Sequence, residues 1–599
     1  MARQLEHFPN LVTMFFARAA AQGDKPMLWR KLDGAWQPLS WNEVARQISS
    51  LAAALTALGF GKGDRIALVS ENRPEWCIAD LAIMAAGCVT VPTYTTNTQR
   101  DHLHILENAG AKAVFVSTPK LARTLLPAVV QSSRCRTVIG FEPLRIGQQS
   151  DVQLIDLQTL LDSHAPDVPA TTGFAAGLGR NDLACIIYTS GTGGAPRGVC
   201  QHHGAILHNV NGCCVIIGED FSWGEEVFLS FLPLSHAYEH SGGQFLPIAL
   251  GGQIYYAEGL DKLAANIEEV RPTIMVVVPR LFELLRTRIT KALEKQGKAA
   301  GWMMAQALRL GRIKAQRGRL PISERPLDLL LSRTLKPRVR QRFGGRIKAL
   351  VSGGAPLNAD VGLFFQSLGL TLLQGYGQTE AGPVISCNRP AAGLKMDTVG
   401  PPLANTEVRI AGDGEILVRG ELVMQGYWRN EAETARVLKD GWLHTGDIGH
   451  FDERGRLAIT DRKKDIIVND KGDNVAPQRV EGMLTLEPEI LQAMVYGDRR
   501  PHLVGLIVPD PEWVEQWAGE RGLDATPEAL HANADFCRAV MAAVDRVNAS
   551  LSVVERVRRV IIADAPFSVE NEQLTPSLKI RRHVIRNVYG TRLDALYRA

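Results

Sequence analysis

Short apolar runs alternate with amphipathic helices along the first part of this chain, and that alternation restricts the fold more than any other feature. From Trp41 to Gly59 the apolar positions Val44, Ile48, Leu51, Ala52, Leu55 and Leu58 recur at helical spacing, and Ser40 is placed to cap the start. Gly59 and Gly61 end that helix. Arg65 to Ser70 reads as a strand, Trp76 to Ala86 as a helix, and Val89 to Val91 and Ala113 to Val116 as further strands. Strands separated by helices of this length predict parallel sheets covered by helices. The stretch from Ser132 to Arg180 is weaker in pattern and rich in turns, and predicts a surface crossing without function. With 599 residues the chain is too long for one core, so at least two domains are expected.

One strand ends unlike the others. Ile186-Ile187-Tyr188 leads into Thr189-Ser190-Gly191-Thr192-Gly193-Gly194-Ala195-Pro196-Arg197, where hydroxyls alternate with glycines. Backbone N–H groups free of side-chain bulk can converge on an anion. Thr189, Ser190 and Thr192 add hydroxyl donors, and Arg197 adds a charge suited to phosphate oxygens. A polyphosphate fits this loop, and so does a plain Gly/Ser turn. The Walker A spacing is absent.

Composition removes several classes of function. Lys+Arg 67 against Asp+Glu 63 gives a formal net charge of +4, too balanced for a nucleic-acid binder. The nine cysteines include no Cys-x-x-Cys pair, so reduced, cytoplasmic thiols are expected rather than a zinc ribbon or a disulfide framework. Met1 to Phe8 lacks a basic segment followed by an apolar core, so no signal peptide is expected. No apolar run approaches the ~20 residues of a membrane span.

Further motifs follow in order. Phe228-Leu229-Ser230-Phe231-Leu232-Pro233-Leu234-Ser235-His236-Ala237-Tyr238 is a strand running into a histidine, with Gly242 and Gly243 shortly after. A single histidine in such a place is more often structural than chemical. Ile274 to Val278 is a continuous apolar strand, as at a sheet centre. Residues 286–348 carry many more basic than acidic residues, with Trp302, Met303, Leu308, Leu310, Leu327 and Leu329 to Leu331 interleaved. They read as a solvated helical pair, or as a basic amphipathic surface for anionic headgroups at the inner membrane face. Ala349-Leu350-Val351-Ser352-Gly353-Gly354-Ala355-Pro356 is a strand and a turn. Leu372-Leu373-Gln374-Gly375-Tyr376-Gly377-Gln378-Thr379-Glu380 ends a strand with an aromatic, a hydroxyl and a carboxylate. Tyr376 offers a flat face for a purine, and Glu380 is the hard oxygen ligand that Mg2+ prefers. Asp447, in Gly441-Trp442-Leu443-His444-Thr445-Gly446-Asp447, suits either the two hydroxyls of a ribose or its own turn.

Taken together, these motifs resemble the adenylate-forming (AMP-binding) superfamily, and the insertion at 286–348 resembles its long-chain fatty acyl-CoA synthetase branch. The resemblance runs from about Trp41 to Lys579. It implies an α/β fold, with a large N-terminal domain of stacked sheets and covering helices (1–460) and a small mobile α+β C-terminal domain (461–599). It further implies that Thr189, Ser190, Gly191, Thr192, Gly193 and Arg197 hold phosphates. Gly354, Ala355, Gly375, Tyr376 and Gly377 would hold adenine, and Asp447 and Arg462 the ribose. Thr379, Glu380 and Lys579 would be catalytic, with Thr189 and Glu380 holding Mg2+. His236, Tyr238, Gly242 and Gly243 would border an acyl pocket, Lys464 would be the hinge, and Gly472 would lie near the CoA thiol. Two residues depart from the usual loop: Gly193 replaces a second threonine, and Arg197 a lysine. The loop at 469–477 has one glycine where two are usual.

The implied reaction joins a fatty, long-chain carboxylate to coenzyme A with ATP and Mg2+, through an acyl-adenylate, releasing AMP and pyrophosphate. Three alternatives stay open: a fatty-acyl-AMP ligase loading a carrier protein, an aryl-CoA ligase, and a nucleotide-binding regulator with decayed catalysis. Peripheral membrane contact and a homodimer are also left open.

Overall fold

The computed structural model describes residues 5–145, 151–189, 196–295, 297–575 and 580–598. Four sheets of three or more strands are present among them. The strands Arg65–Val69, Val89–Thr93 and Ala113–Val116 pair in parallel, as the alternation predicts. The helix Trp41–Ala57, which precedes this sheet in the chain, begins at Ser40, whose side chain accepts from the Glu43 N–H while the Glu43 carboxylate accepts from the Ser40 N–H. Its buried face is Val44, Ile48, Leu51, Ala52 and Leu55.

The stretch after Ser132 corrects the sequence reading. Thr137–Gly140 and Gln153–Asp156 extend the first sheet in parallel, and Thr137–Gly140 is wholly buried. Four-residue strands carry too little pattern to be read locally, and the neighbouring strand supplies both their hydrogen bonds and their burial. The sheet has seven strands and ends in the antiparallel pair Leu183–Thr189 and Arg197–His202, with Thr189 opposite Arg197.

The second sheet has eight strands, and Ile274–Val277 sits near its centre. It is parallel from Gln253–Tyr256 through Leu372–Gly377 and closes with the antiparallel Val384–Cys387. The basic stretch forms the helices Pro279–Lys295, Lys298–Arg317, Arg325–Arg333 and Leu335–Arg342. Ala307, Leu310, Leu331, Leu335 and Val339 join the core behind this sheet, so the stretch is packed as well as solvated.

A five-stranded antiparallel sheet over residues 407–462 follows. In it Trp442–Phe451 pairs with Leu457–Arg462 in a register that sets Asp447 opposite Arg462. The chain then turns at Lys463 to Asp465 into a smaller α+β unit. There Ile490–Tyr496, Leu503–Pro509 and Val557–Ile562 form a three-stranded sheet. Pro477–Leu484 and Ala534–Asn548 cover one face of it, and Arg582–Ala595 the other. No helix among the described residues is long and apolar enough to cross a membrane.

Candidate active site

The motif residues meet where an open α/β sheet usually binds ligands, outside the carboxyl ends of its strands. Thr189 ends one strand, Gly353-Gly354 follows Ala349–Ser352, and Tyr376 and Gly377 end Leu372–Gly377. All line one cleft of about 1610 Å³. Backbone geometry explains two glycines. Gly354 has φ +82°, and a Cβ on Gly377 would lie 1.8 Å from the Pro383 carbonyl oxygen.

Tyr376, Asp447 and Arg462 form one cluster. The Tyr376 hydroxyl donates to Asp447 Oδ2 at 2.7 Å, and Arg462 Nε donates to Oδ1 at 3.1 Å. The Asp447 N–H is held by Thr445 Oγ1 at 3.1 Å. Burial and the Asp447 carboxylate push the Tyr376 phenol well up. Burial lowers the Arg462 pKa, but attraction to Asp447 outweighs it and leaves the guanidinium above its ordinary value. Each Asp447 oxygen keeps a second lone pair, so the fixed carboxylate can still accept two hydroxyls.

Beside it, Thr379 and Glu380 start a short turn, and the Thr379 carbonyl accepts from Gln201 Nε2 at 2.6 Å. Glu380 Oε1 accepts from the Tyr427 hydroxyl at 2.7 Å. The Arg197 guanidinium lies over the Tyr427 ring, 4.7 Å from its centroid, and Nη1 donates to Glu433 at 2.6 Å. Arg436 donates to the same Glu433 oxygen at 2.8 Å. The Lys464 amine is lowered by burial and by the nearby Arg436 and Arg197 charges. Among the described residues no three His, Cys, Asp or Glu side chains gather as a cage for a metal ion. A carboxylate and a hydroxyl lining the same cleft, Glu380 and Thr189, are an oxygen donor set of the kind Mg2+ takes when phosphates supply other ligands.

A second arm of the cleft is apolar. Val210, Cys213, Ile216, Ile217 and Phe221 line it from the helix His203–Asp220 and its end. Leu246, Ile274, Val276, Ala349, Val351 and Leu373 line it from the other side. His236, Tyr238 and Gly242 line the same cleft. His236 Nδ1 accepts from the Tyr238 N–H at 3.1 Å, and the Tyr238 hydroxyl donates to the Val351 carbonyl at 2.9 Å. His240 to Phe245 form a π-helical turn, a departure found frequently at functional sites.

Some expected residues are not brought in. Gly243 does not line the cleft: a Cβ there would lie 2.3 Å from Glu239 Oε1, because that face of the turn points into the core. Gly472, φ +88°, sits in an exposed hairpin turn shaped by Asn469 and away from the cleft lining. Lys464 lines the cleft from the turn after Arg462. Ser190, Gly191, Thr192, Gly193 and Lys579 lie outside the described residues. The sequence reading missed Gln201, Tyr427 and Glu433, and the wall of the helix His203–Asp220. The wall left a signal: Val210, Cys213 and Ile217 are spaced three and four apart.

The family model for AMP-binding enzymes matches residues 15–428, and the model for their C-terminal domain matches 464–599. This chain belongs to the AMP-binding enzyme family. A long-chain-fatty-acid–CoA ligase of Mycobacterium tuberculosis is 34% identical to it over 98% of this chain and 97% of that one. Long chain acyl-CoA synthetase 1 of Arabidopsis thaliana is 29% identical, over 100% of this chain and 92% of that one. Among solved structures, this AMP-binding enzyme is similar to the adenylation domain of a carboxylate reductase from Mycobacterium chelonae. That match has a TM-score of 0.74 at 21% identity and covers 99% of this chain and 92% of the other. An anthranilate CoA ligase bound to anthranoyl-AMP gives 0.72 at 18% identity, over 98% of both chains. These structural likenesses concern the fold.

Proposed function

We infer that this AMP-binding enzyme joins a long-chain fatty acid to coenzyme A at the expense of ATP, through an acyl-adenylate. The observation that carries the reading is the lining of the cleft, in which Asp447, Thr379 and Glu380 share one cavity with the apolar wall along the helix His203–Asp220. From Asn209 to Phe221 that wall runs roughly 18 Å at ~1.5 Å per residue, enough for a long alkyl chain. The full-length likeness to enzymes named long-chain-fatty-acid–CoA ligases supports the same substrate class.

In this reading Asp447 accepts the ribose hydroxyls, with Tyr376 and Arg462 fixing it, and the Gly354–Ala355 turn and the Tyr376 strand end flank the adenine. The fatty carboxylate attacks the α-phosphate, and pyrophosphate leaves. The thiol of CoA then attacks the acyl carbonyl, and AMP leaves. Glu380 and Thr189 would hold Mg2+, which would supply charge neutralisation on the phosphates. Thr379 donates to the α-phosphate, Lys579 brings a positive charge to it, and the apolar arm aligns the chain. Ser190, Gly191, Thr192, Gly193 and Arg197 complete the phosphate cradle. Domain movement about Lys464, after residue 460, separates the two half-reactions. The exposed side of the basic helices contacts anionic lipid, where long-chain acids reside.

Measuring AMP release with ATP, CoA and saturated acids of increasing length tests the reading. Turnover rising towards long chains is expected. Turnover only with aromatic acids, or only with a holo carrier protein in place of CoA, would replace it.

A further inference from the structure

Arg197 already has partners within the protein. Its Nη1 donates to Glu433 at 2.6 Å, its plane rests on Tyr427, and its buried Nε has no hydrogen-bond partner among the described residues. A lysine could pair with Glu433 but could not also lie flat on the ring, so arginine suits this pairing. Glu433 is fixed in turn. It stands in the first turn of the helix Glu431–Val437, whose cap Asn430 accepts from the Glu433 N–H at 3.2 Å. The Thr434 hydroxyl accepts from the Tyr427 N–H at 2.9 Å and donates to the Asn430 carbonyl at 2.8 Å, tying the ring and the carboxylate into one loop.

The pair is placed to be broken. The side chains of Arg197 and Glu433 are 25% and 31% exposed, and both Arg197 and Arg436 line the cleft. A partly exposed ion pair contributes little net stability, so a polyanion can displace its acid. Glu433 is a carboxylate in the midst of Arg197, Arg436 and Lys464, three cations that line the cleft.

We propose that Glu433 competes with the terminal phosphates of the nucleotide for Arg197. It holds the guanidinium when those phosphates are absent, yields it when they arrive, and reclaims it as pyrophosphate departs. Glu433 is therefore a positioning residue that acts through Arg197 and keeps pyrophosphate from lingering. Adenylate formation is reversible, so a site that retained pyrophosphate would run backwards or stall. This inference rests on the ligase reading above.

The test is ATP–pyrophosphate exchange, together with pyrophosphate inhibition of acyl-CoA formation, in the full-length protein and in Glu433→Gln and Glu433→Asp. Glutamine keeps the size and loses the charge. The expected result is an inhibition constant for pyrophosphate about tenfold lower in Glu433→Gln, equivalent to ~1.4 kcal/mol. The KM for ATP should fall in parallel while the KM for fatty acid is unchanged, with Glu433→Asp in between. If Glu433 merely orients Arg197, both ATP and pyrophosphate will bind more weakly in the glutamine variant, and the proposal is wrong. Unchanged pyrophosphate inhibition with normal exchange overturns it equally. Absence of exchange in the unaltered protein, with every class of acid supplied, would instead overturn the ligase reading on which it stands.

Discussion

At the scale of single residues, Asp447 is the point where three motifs distant in sequence converge. Hydrogen bonds to a charged group contribute roughly 1.5–3 kcal/mol each. Asp447→Ala should therefore raise the KM for ATP by about tenfold or more, and should also lower the melting temperature, because the Tyr376 hydroxyl and the Arg462 guanidinium lose their partner. An unaltered ATP dependence would remove the ribose assignment. Glu239 offers a test of another kind. Burial pushes its carboxyl up to about 8, against the lowering effect of bonds donated by the Ser230 hydroxyl and the Phe231 N–H. Between the ordinary carboxylate range and that value the folded chain holds one proton more than the unfolded chain, so stability falls as pH rises across the window. Below the window the loss is absent, and above it the loss is complete. Glu239→Gln cannot titrate, so its melting temperature should decline less than that of the unaltered protein between about pH 5 and about pH 8, the window these values set. Parallel curves for the two proteins would show that the carboxyl is not protonated in the fold.

Among the elements, the helix His203–Asp220 lines the cleft with apolar side chains and has no polar motif to announce it. Cys213 faces the apolar arm about one helical turn beyond Asn209. Cys213→Phe should obstruct the arm, lowering activity with long acids by tenfold or more, a ~1.4 kcal/mol effect, and sparing short ones. Equal losses at every chain length would mean that the acyl group lies elsewhere. The basic helices are the other element with a role to test. Trp302, Leu329 and Leu330 are exposed on them and Ile322 is 78% exposed in the short turn before Arg325–Arg333, and Arg319, Arg325 and Arg333 are exposed in the same stretch. Each basic residue near an anionic surface adds about 1 kcal/mol, and salt screens it. Co-sedimentation with anionic vesicles should be strong at low salt and weak at high salt. No binding at either salt would limit these helices to their packing role behind the sheet.

For the whole molecule, the question is what the small unit does between the two steps. Lys463 ties the last turn of the large unit to Asp413 and Glu415 at 2.7 and 3.1 Å, one residue before Lys464. Thr575 and Ile580, on either side of the segment containing Lys579, line the cleft. If Lys579 acts at the α-phosphate only, Lys579→Ala should slow acyl-adenylate formation by ~10²–10³. It should still convert synthetic acyl-AMP and CoA to acyl-CoA at a near-normal rate, because the small unit would by then have turned away. Equal losses in both half-reactions would mean that Lys579 is structural, or that the units do not alternate.

The sequence by itself determined the elements whose information is local. The helix Trp41–Ala57 declares its cap at Ser40 and its buried face by spacing alone, and the strands Arg65–Val69 and Ala113–Val116 by their apolar runs. The order of Thr189, Tyr376, Thr379, Glu380 and Asp447 named the family and its nucleotide chemistry, because those residues sit in short motifs with fixed spacing. Tertiary structure alone decided the rest. The strands Thr137–Gly140 and Gln153–Asp156 exist because a neighbour pairs with them, and Gly243 lost its place because the π-helical turn aims it at Glu239. Glu433 reads as one charge among several on a solvated helix until Arg197, 236 residues away in sequence, is brought within hydrogen-bonding distance. The apolar arm is likewise shared among a helix, a turn and the central strands, so no single segment records its depth. Packing, unlike capping or periodicity, is a property of residues that the chain brings together only by folding.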